Sequence, residues 1–308
     1  MPAAAEATSR HPIRSALLAD LRELLVARLE RLDWPDAQRF GSALGVAAWH
    51  LAGRDRRRTL EHLALALGDL PADERRRIGR ASFLHFGTML AESLWLTSRD
   101  AAEVLRRVAL DGWEEVERAR ALQRPILILT GHCGNWELLA AALNARGLDM
   151  AVVARELDDP GLQEALLGLR ARFGTRTIVR GAPGAARELL RTLRSGGALG
   201  MLIDQDTRVE GVWVDFFGRP AWTPSGAADI ARRFGAAVLP TFIERQPDGS
   251  HHARIAPPLE LPDNAAVATQ LMSDAITAQI RRVPEQWVWM HRRWRRQPTP
   301  GTAPALSQ

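Results

Sequence analysis

From Pro125 onward the chain alternates two kinds of segment, and this alternation narrows the possible folds more than any other feature. Short apolar runs, rich in β-branched residues, stand at 126–130 (ILILT), 150–154 (MAVVA), 176–180 (RTIVR), 198–204 (ALGMLID) and 237–244 (AVLPTFIE). Runs of this length and character suit strands buried on both faces. Helical patterns fill the gaps at 135–146, 160–172, 183–195 and 225–234, and a last helix is expected over 264–282. Strands alternating with helices predict an α/β fold: a mostly parallel sheet in α/β/α layers.

The preceding part has a different texture. Leucines at helical spacing predict an amphipathic helix over 13–32, which Trp34-Pro35 breaks. A second helix is expected over 36–53, a third from about Arg56 and a fourth after Pro71, where Asp73 and Glu74 mark a first turn. The start of the chain has no apolar signal core, and no stretch reaches the ~18 apolar residues of a spanning helix. The nearest, Phe40 to Gly53, is short and runs into Arg54, Arg56, Arg57 and Arg58. It reads as a buried or interfacial helix in a protein that lies on a membrane rather than crossing it. The expected divisions are a flexible lead (1–12), an N-terminal helical membrane-associating region (13–110), an α/β domain (111–296) and a flexible tail (297–308).

The chemistry concentrates in ILILTGHCGNWELL: a buried strand, then Gly131-His132-Cys133-Gly134-Asn135, then a helix from Trp136. Ligands of α/β sheets bind beyond the C-terminal ends of strands, and His132 stands at such an end. Glu137 falls in the first helical turn and can fold back toward the imidazole. Such a pair has a clear use. A hydroxyl is a poor nucleophile at neutral pH, and a His nitrogen within hydrogen-bond reach takes its proton as it attacks a thioester. A carboxylate on the other ring nitrogen fixes the tautomer and stabilises the imidazolium. The alternative is a purely structural histidine at a strand end.

The string Gly-His-x-Gly-Asn-Trp-Glu resembles the signature of the lauroyl/myristoyl acyltransferases of lipid A biosynthesis, within the lysophospholipid acyltransferase superfamily. Three further blocks are similar to that family: LIDQDTRVEGVWVDFFGRPAWTPSGAADIARRFGAAVLP (202–240), PEQWVWMHRRW (284–294), and the arginine-rich turn after Gly53 with LALALGDLPADERRRI. The resemblance spans about residues 40–296. It implies a glycerol-3-phosphate acyltransferase-like domain with His132 as general base and Glu137 orienting it. It also implies an acyl donor that is a thioester of acyl carrier protein or coenzyme A, with no bound cofactor, and a membrane glycolipid acceptor such as a lipid A precursor. A phosphatidylinositol mannoside is the alternative acceptor, and a non-catalytic lipid-binding or carrier-docking protein is the rival of another class. The implied place is the cytoplasmic face of the bacterial inner membrane, peripheral or monotopic. The family usually carries a membrane-spanning N-terminal helix; this chain has a short amphipathic version.

Other residues carry alternatives. Arg170, by resemblance, shapes the site, binds a phosphate or stabilises the oxyanion; otherwise it lies on a solvated helix face. Asp204 and Asp206 flank Gln205 at the end of a buried strand, where unpaired carboxylates are costly. They orient His132 or an arginine, or they cap a turn. Asn135 joins the substrate-binding candidates. Gly218 fits a turn lining the acyl channel, and Trp213, Phe216, Phe217 and Trp222 line an acyl tunnel or fill the core. The segment 223–226 places a helix N-terminus beside a phosphate, or merely caps that helix.

The formal charge is +5 and every cationic side chain is Arg, the better phosphate ligand. A basic surface suits anionic lipid or an acidic carrier protein. Nucleic acid is excluded for want of any fold motif for it. The tail HRRWRRQ (291–297) is a candidate lipid or carrier contact, or a solvated end. Cys133, the one cysteine, excludes an internal disulfide. A thiol protease is rejected because adjacent Cys and His side chains diverge, and a zinc peptidase because His-Glu-x-x-His is absent. No metal site is expected.

Overall fold

The computed structural model describes residues 27–157 and 159–299. The expected flexible lead, most of the 13–32 helix and the last part of the tail lie outside them.

Seven strands form one sheet in the order β1-β9-β8-β2-β5-β3-β4. They are β1 (Val108–Asp111), β2 (Ile126–Thr130), β3 (Met150–Ala154), β4 (Arg176–Val179), β5 (Ala198–Leu202), β8 (Ala237–Arg245) and β9 (His251–Ile255). Neighbours are parallel except β8 and β9. The mostly parallel sheet expected from the alternation is therefore present. A separate antiparallel hairpin joins β6 (Gly211–Asp215) to β7 (Pro220–Pro224).

β2 lies between β8 and β5 and is buried along its whole length. Its side chains divide by parity, as a strand's must. Ile126 and Ile128 join Met150 and Val152 on one face. Leu127 and Leu129 join Val238 on the other. The first face meets α6 (Trp136–Ala145), α7 (Pro160–Arg172) and part of α3 (Ala72–Leu96). The second is covered by α8 (Ala185–Arg194), α9 (Gly226–Phe234), α10 (Ala265–Arg282) and a cluster of Phe216, Trp287, Trp289 and Trp294. Each fully buried Leu or Ile contributes about 1.5–3 kcal/mol, so the central strand is anchored from both sides.

The N-terminal part holds α1 (Trp34–Leu51), α2 (Gly53–Ala66) and α3, with α4 (Ala101–Arg107) and α5 (Trp113–Ala121) leading into the sheet. The small residues of the 40–53 run have a specific purpose. A Cβ on Gly41 would stand 2.5 Å from the Gly87 carbonyl oxygen, and one on Gly87 would strike Gly41 in return. The backbones of α1 and α3 touch there, so the glycine face of this segment packs against protein, while Ala43, Ala47 and Leu51 lie exposed on another face. No helix among the described residues is long and apolar enough to cross a membrane.

Candidate active site

The loop after β2 is held from several directions. Gly134 has φ +63°, and a Cβ there would collide with the Ile243 carbonyl of β8, so only glycine fits. Its amide donates to Gln286 O at 2.9 Å. Asn135 caps α6: its Oδ1 accepts from Leu138 N at 3.0 Å, while its amide donates to Glu92 Oε2 at 2.9 Å. Asn135 is wholly buried and not on the cavity wall, so its expected substrate contact is corrected to a capping role.

His132 follows two residues after the end of β2. Its Nδ1 lies 2.8 Å from Asp204 Oδ1, and its backbone amide donates to Asp204 Oδ2 at 2.8 Å. The Trp287 indole donates to the same Oδ2 at 2.8 Å. A carboxylate only accepts, so Nδ1 carries a proton, and in the neutral ring Nε2 is the nitrogen that keeps its lone pair. Burial alone would raise the Asp204 carboxyl. The charge of the His132 ring when it is protonated, its hydrogen bond, the indole and the amide outweigh burial and hold it well below the usual carboxylate range. Trp136 stands edge-on to the imidazole, with ring centroids 5.0 Å apart. Nε2 has no protein partner among the described residues.

The expected bond between Glu137 and His132 is corrected. Glu137 Oε2 and Oε1 accept from Arg170 Nε at 2.9 Å and Nη2 at 2.7 Å, a bidentate pair. The reason is positional: Asp204, from the end of β5, already occupies the only hydrogen-bonding atom of the ring turned toward the protein, and α7 brings a full guanidinium to Glu137. Arg170 is therefore no solvated helix residue; its side chain is 10% exposed. His132, Glu137 and Arg170 all line one cavity.

That cavity, of about 600 Å³, lies between the sheet and helices α3, α6 and α7. Its walls are mostly aliphatic, with Ile128, Leu139, Leu143, Met150, Val152 and Leu169 among them. Size and lining match a site for an apolar ligand with a few polar groups. Thr130 and Thr207 also line it, and their hydroxyls have no partner among the described residues.

Behind the loop lies a buried polar cluster that sequence reasoning missed. Arg245 grips Glu92 with Nε and Nη2, both at 2.8 Å, and Nη1 meets His85 Nδ1 at 2.6 Å. His251 and Gln38 also reach Glu92. His85 Nε2 lies 3.2 Å from the Gly134 carbonyl, and Glu92 holds Asn135, so this cluster braces the His132 loop. Burial first, then the Arg245 charge, push His85 well below its ordinary value. Burial opposes ionisation of Glu92, but Arg245 and His251 hold it well below the carboxylate range. The available signal was a His and a Glu seven residues apart on the apolar face of α3.

Several other expectations are redirected. Asp206 is buried and takes Arg295 and Arg296, so it anchors the C-terminal segment instead of a substrate. Gly218, at φ +71°, forms an exposed turn between β6 and β7 and does not line the cavity. Phe216 and Phe217 fill the core with Trp287, Trp289 and Trp294, and Trp213 pairs with Trp222 on the hairpin. The basic tail is largely committed. Arg293 is fully buried, donating to Trp222 O and Thr223 Oγ1, and burial pushes its guanidinium down to about 10 despite Asp204 and Asp206. Ser225 makes no side-chain cap, and Thr223 is held by Arg293. Cys133 is buried, and burial with Asp204 nearby raises its thiol well above the ordinary value, which keeps it protonated.

The family profile described as bacterial lipid A biosynthesis acyltransferase matches residues 24–296. A phosphatidylinositol mannoside acyltransferase of Mycobacterium tuberculosis (strain CDC 1551 / Oshkosh) is 26% identical over 239 residues, covering 76% of this chain and 75% of the relative. A lipid A biosynthesis lauroyltransferase of Escherichia coli K12 is 25% identical over 276 residues, covering 87% and 88%. A lipid A biosynthesis palmitoleoyltransferase of the same organism matches with the same identity and coverage.

Proposed function

The chain belongs to the bacterial lipid A biosynthesis acyltransferases, and from that premise we propose that it moves a fatty acyl group from a thioester of acyl carrier protein or coenzyme A to a hydroxyl of a lipid A precursor or related membrane glycolipid. The observation that carries this reading is an imidazole with a carboxylate on Nδ1 and an open Nε2, set in the wall of an apolar cavity.

The acyl chain occupies the cavity and places its thioester carbonyl beside His132. The acceptor hydroxyl gives its proton to Nε2 as its oxygen attacks the carbonyl carbon. Asp204 stabilises the imidazolium that forms. The tetrahedral oxyanion is met by Arg170, whose Nη1 is not committed to Glu137 and makes only a long contact, 3.5 Å, to Thr177 Oγ1. Collapse breaks the carbon–sulfur bond, and the departing thiolate takes the proton from Nε2. The ester and a free thiol leave, and His132 returns to its starting state.

Leu90 and Leu162 both line the cavity and are 45% and 52% exposed, so its rim is apolar. Arg155 and Arg180 also line it. An apolar rim with arginines suits the surface of a membrane with anionic lipid, here the cytoplasmic face of the inner membrane. Leu90→Asp with Leu162→Asp is expected to weaken sedimentation with anionic vesicles at least tenfold; unchanged binding rejects this orientation.

A phosphatidylinositol mannoside acceptor is the second reading, favoured by the mycobacterial relative. Purified protein is offered acyl thioesters with either acceptor, and products are weighed by mass spectrometry. Transfer lost in His132→Ala, with folding intact, is the expected result. Binding of lipid without transfer would make the protein a lipid carrier instead.

A further inference from the structure

Two lengths of the cavity, one along the strands and one along α6, mark where it ends. Along the strands, the register places Thr130 beside Leu202, Gly200 between Ile128 and Val152, and Ala198 beside Met150. The polar groups that strands and their loops give to the wall stand at the upper end: Thr130, His132, Arg155, Arg180, Gln205 and Thr207. Below them the strands offer Ile128, Val152, Gly200 and finally Met150, the lowest rung on the wall. From Ala154 to Met150 is about 13 Å at a strand's rise. Along α6, the lining runs from Trp136 beside the imidazole to Leu143, roughly 10 Å at a helix's rise.

Gly200 explains how Met150 closes this end. A Cβ on Gly200 would lie 3.0 Å from Met150 Cε and 3.1 Å from Val152 Cγ1. The methionine thus extends across the bare backbone of β5, into space that any side chain at position 200 would contest. Met150 is itself 2% exposed. An unbranched, flexible side chain is suited to end a slot without rigid edges.

We propose that Met150, seated over Gly200, is the stop for the methyl end of the acyl chain and so sets the chain length the enzyme transfers. A peptide residue advances roughly 3.3–3.6 Å over three bonds, about 1.2 Å per bond, and an extended hydrocarbon behaves alike. A slot of roughly 10–13 Å, part of which the methionine itself fills, therefore holds at most about eight to eleven carbons beyond the carbonyl. This rests on the acyltransferase reading and adds the residue that measures the substrate.

The test uses the full chain and two readouts. In the first, equimolar straight-chain acyl thioesters from octanoyl to octadecanoyl compete for transfer, and product masses give the length profile. In the second, free fatty acids of the same lengths are scored by the rise in melting temperature they produce, which needs no turnover. Met150→Ala removes three heavy atoms and is expected to move both optima about two to four carbons longer. Gly200→Ala pushes the methionine toward the mouth and should move them one or two carbons shorter. Met150→Leu, which conserves volume, should stay near the wild-type profile. Opposite shifts in the two variants support the stop. Coincident profiles for all of them overturn it while leaving the activity intact. Length-dependent binding that shifts as expected, without transfer by any protein, keeps the stop and rejects the acyltransferase reading. Neither binding nor transfer in the wild type overturns both.

Discussion

Replacing Asp204 by Asn tests the site through a single proton. Asp204 Oδ2 accepts two donors, the His132 amide and the Trp287 indole, and Oδ1 faces Nδ1. The asparagine oxygen is drawn to the place of Oδ2, because an NH₂ there would face two N–H groups. The NH₂ then points at Nδ1, which must accept, and the ring proton moves to Nε2. The imidazole becomes a donor where a base is needed. The lost charge adds a second effect: a carboxylate roughly 4 Å from an imidazolium is worth about 4 kcal/mol at an effective dielectric near 20. At 1.36 kcal/mol per decade this is about 10³ in rate. We expect Asp204→Asn to lower kcat about 10³- to 10⁴-fold with KM little changed, since no substrate contact is removed. Steady-state transfer of a labelled acyl group gives both constants, and circular dichroism checks the fold. A folded variant within tenfold of wild-type kcat would refute the reasoning and return the bracing role to another group.

Two further outcomes follow from buried charge. Glu137→Ala leaves the Arg170 guanidinium buried without its carboxylate and should cost about 3–5 kcal/mol in urea unfolding, part of which the double variant with Arg170→Met recovers; an unaltered midpoint in Glu137→Ala would contradict the pair. Burial lowers His62, His85 and His291 below the ordinary histidine value, His291 to about 4. The unfolded chain then binds protons the folded chain refuses, so stability falls as pH drops below about 6.5. His291 accounts for about 3 kcal/mol of that loss down to about pH 4. Asp204 and Glu92, held low, contribute above their unfolded values and lose that contribution only in stronger acid. Unfolding curves measured across this range should be shallower in pH for His291→Asn; an equal slope would show that His291 does not titrate this way.

The strands that bear the site were legible because each is a run of apolar residues long enough to declare itself. β2 and β3 stand where ILILT and MAVVA placed them, and β5 takes the first five residues of ALGMLID. β1 and β9 were not: VALD is only four residues, HHARI carries three polar side chains among its five, and the pairing of β1 with β9 joins distant parts of the chain. The position of His132 followed from local sequence alone. Its partner did not: Glu137 is near in sequence, whereas Asp204 arrives through the pairing of β2 with β5, 72 residues away. Asp204 was visible as a strand-end carboxylate with orienting His132 among its readings, which the structure meets, but nothing local set that reading above a turn cap. Asp206 reads in sequence as a site carboxylate or a turn cap, its arginine partners lying about ninety residues away. Arg293 lies in a tail that reads as a lipid or carrier contact or a solvated end, because a run of arginines gives no sign of which one turns inward. The Glu92 cluster draws on α1, α3, β8 and β9, and only tertiary structure gathers it.

The state of the His132 ring is the most direct measure of the account. In protein labelled with ¹⁵N-histidine, the signals lost in His132→Gln identify this ring among the eight histidines. At neutral pH they should show a protonated Nδ1, hydrogen-bonded to a carboxylate, and an unprotonated Nε2. A ring carrying its proton on Nε2 would leave no base facing the cavity and would contradict the account at its centre.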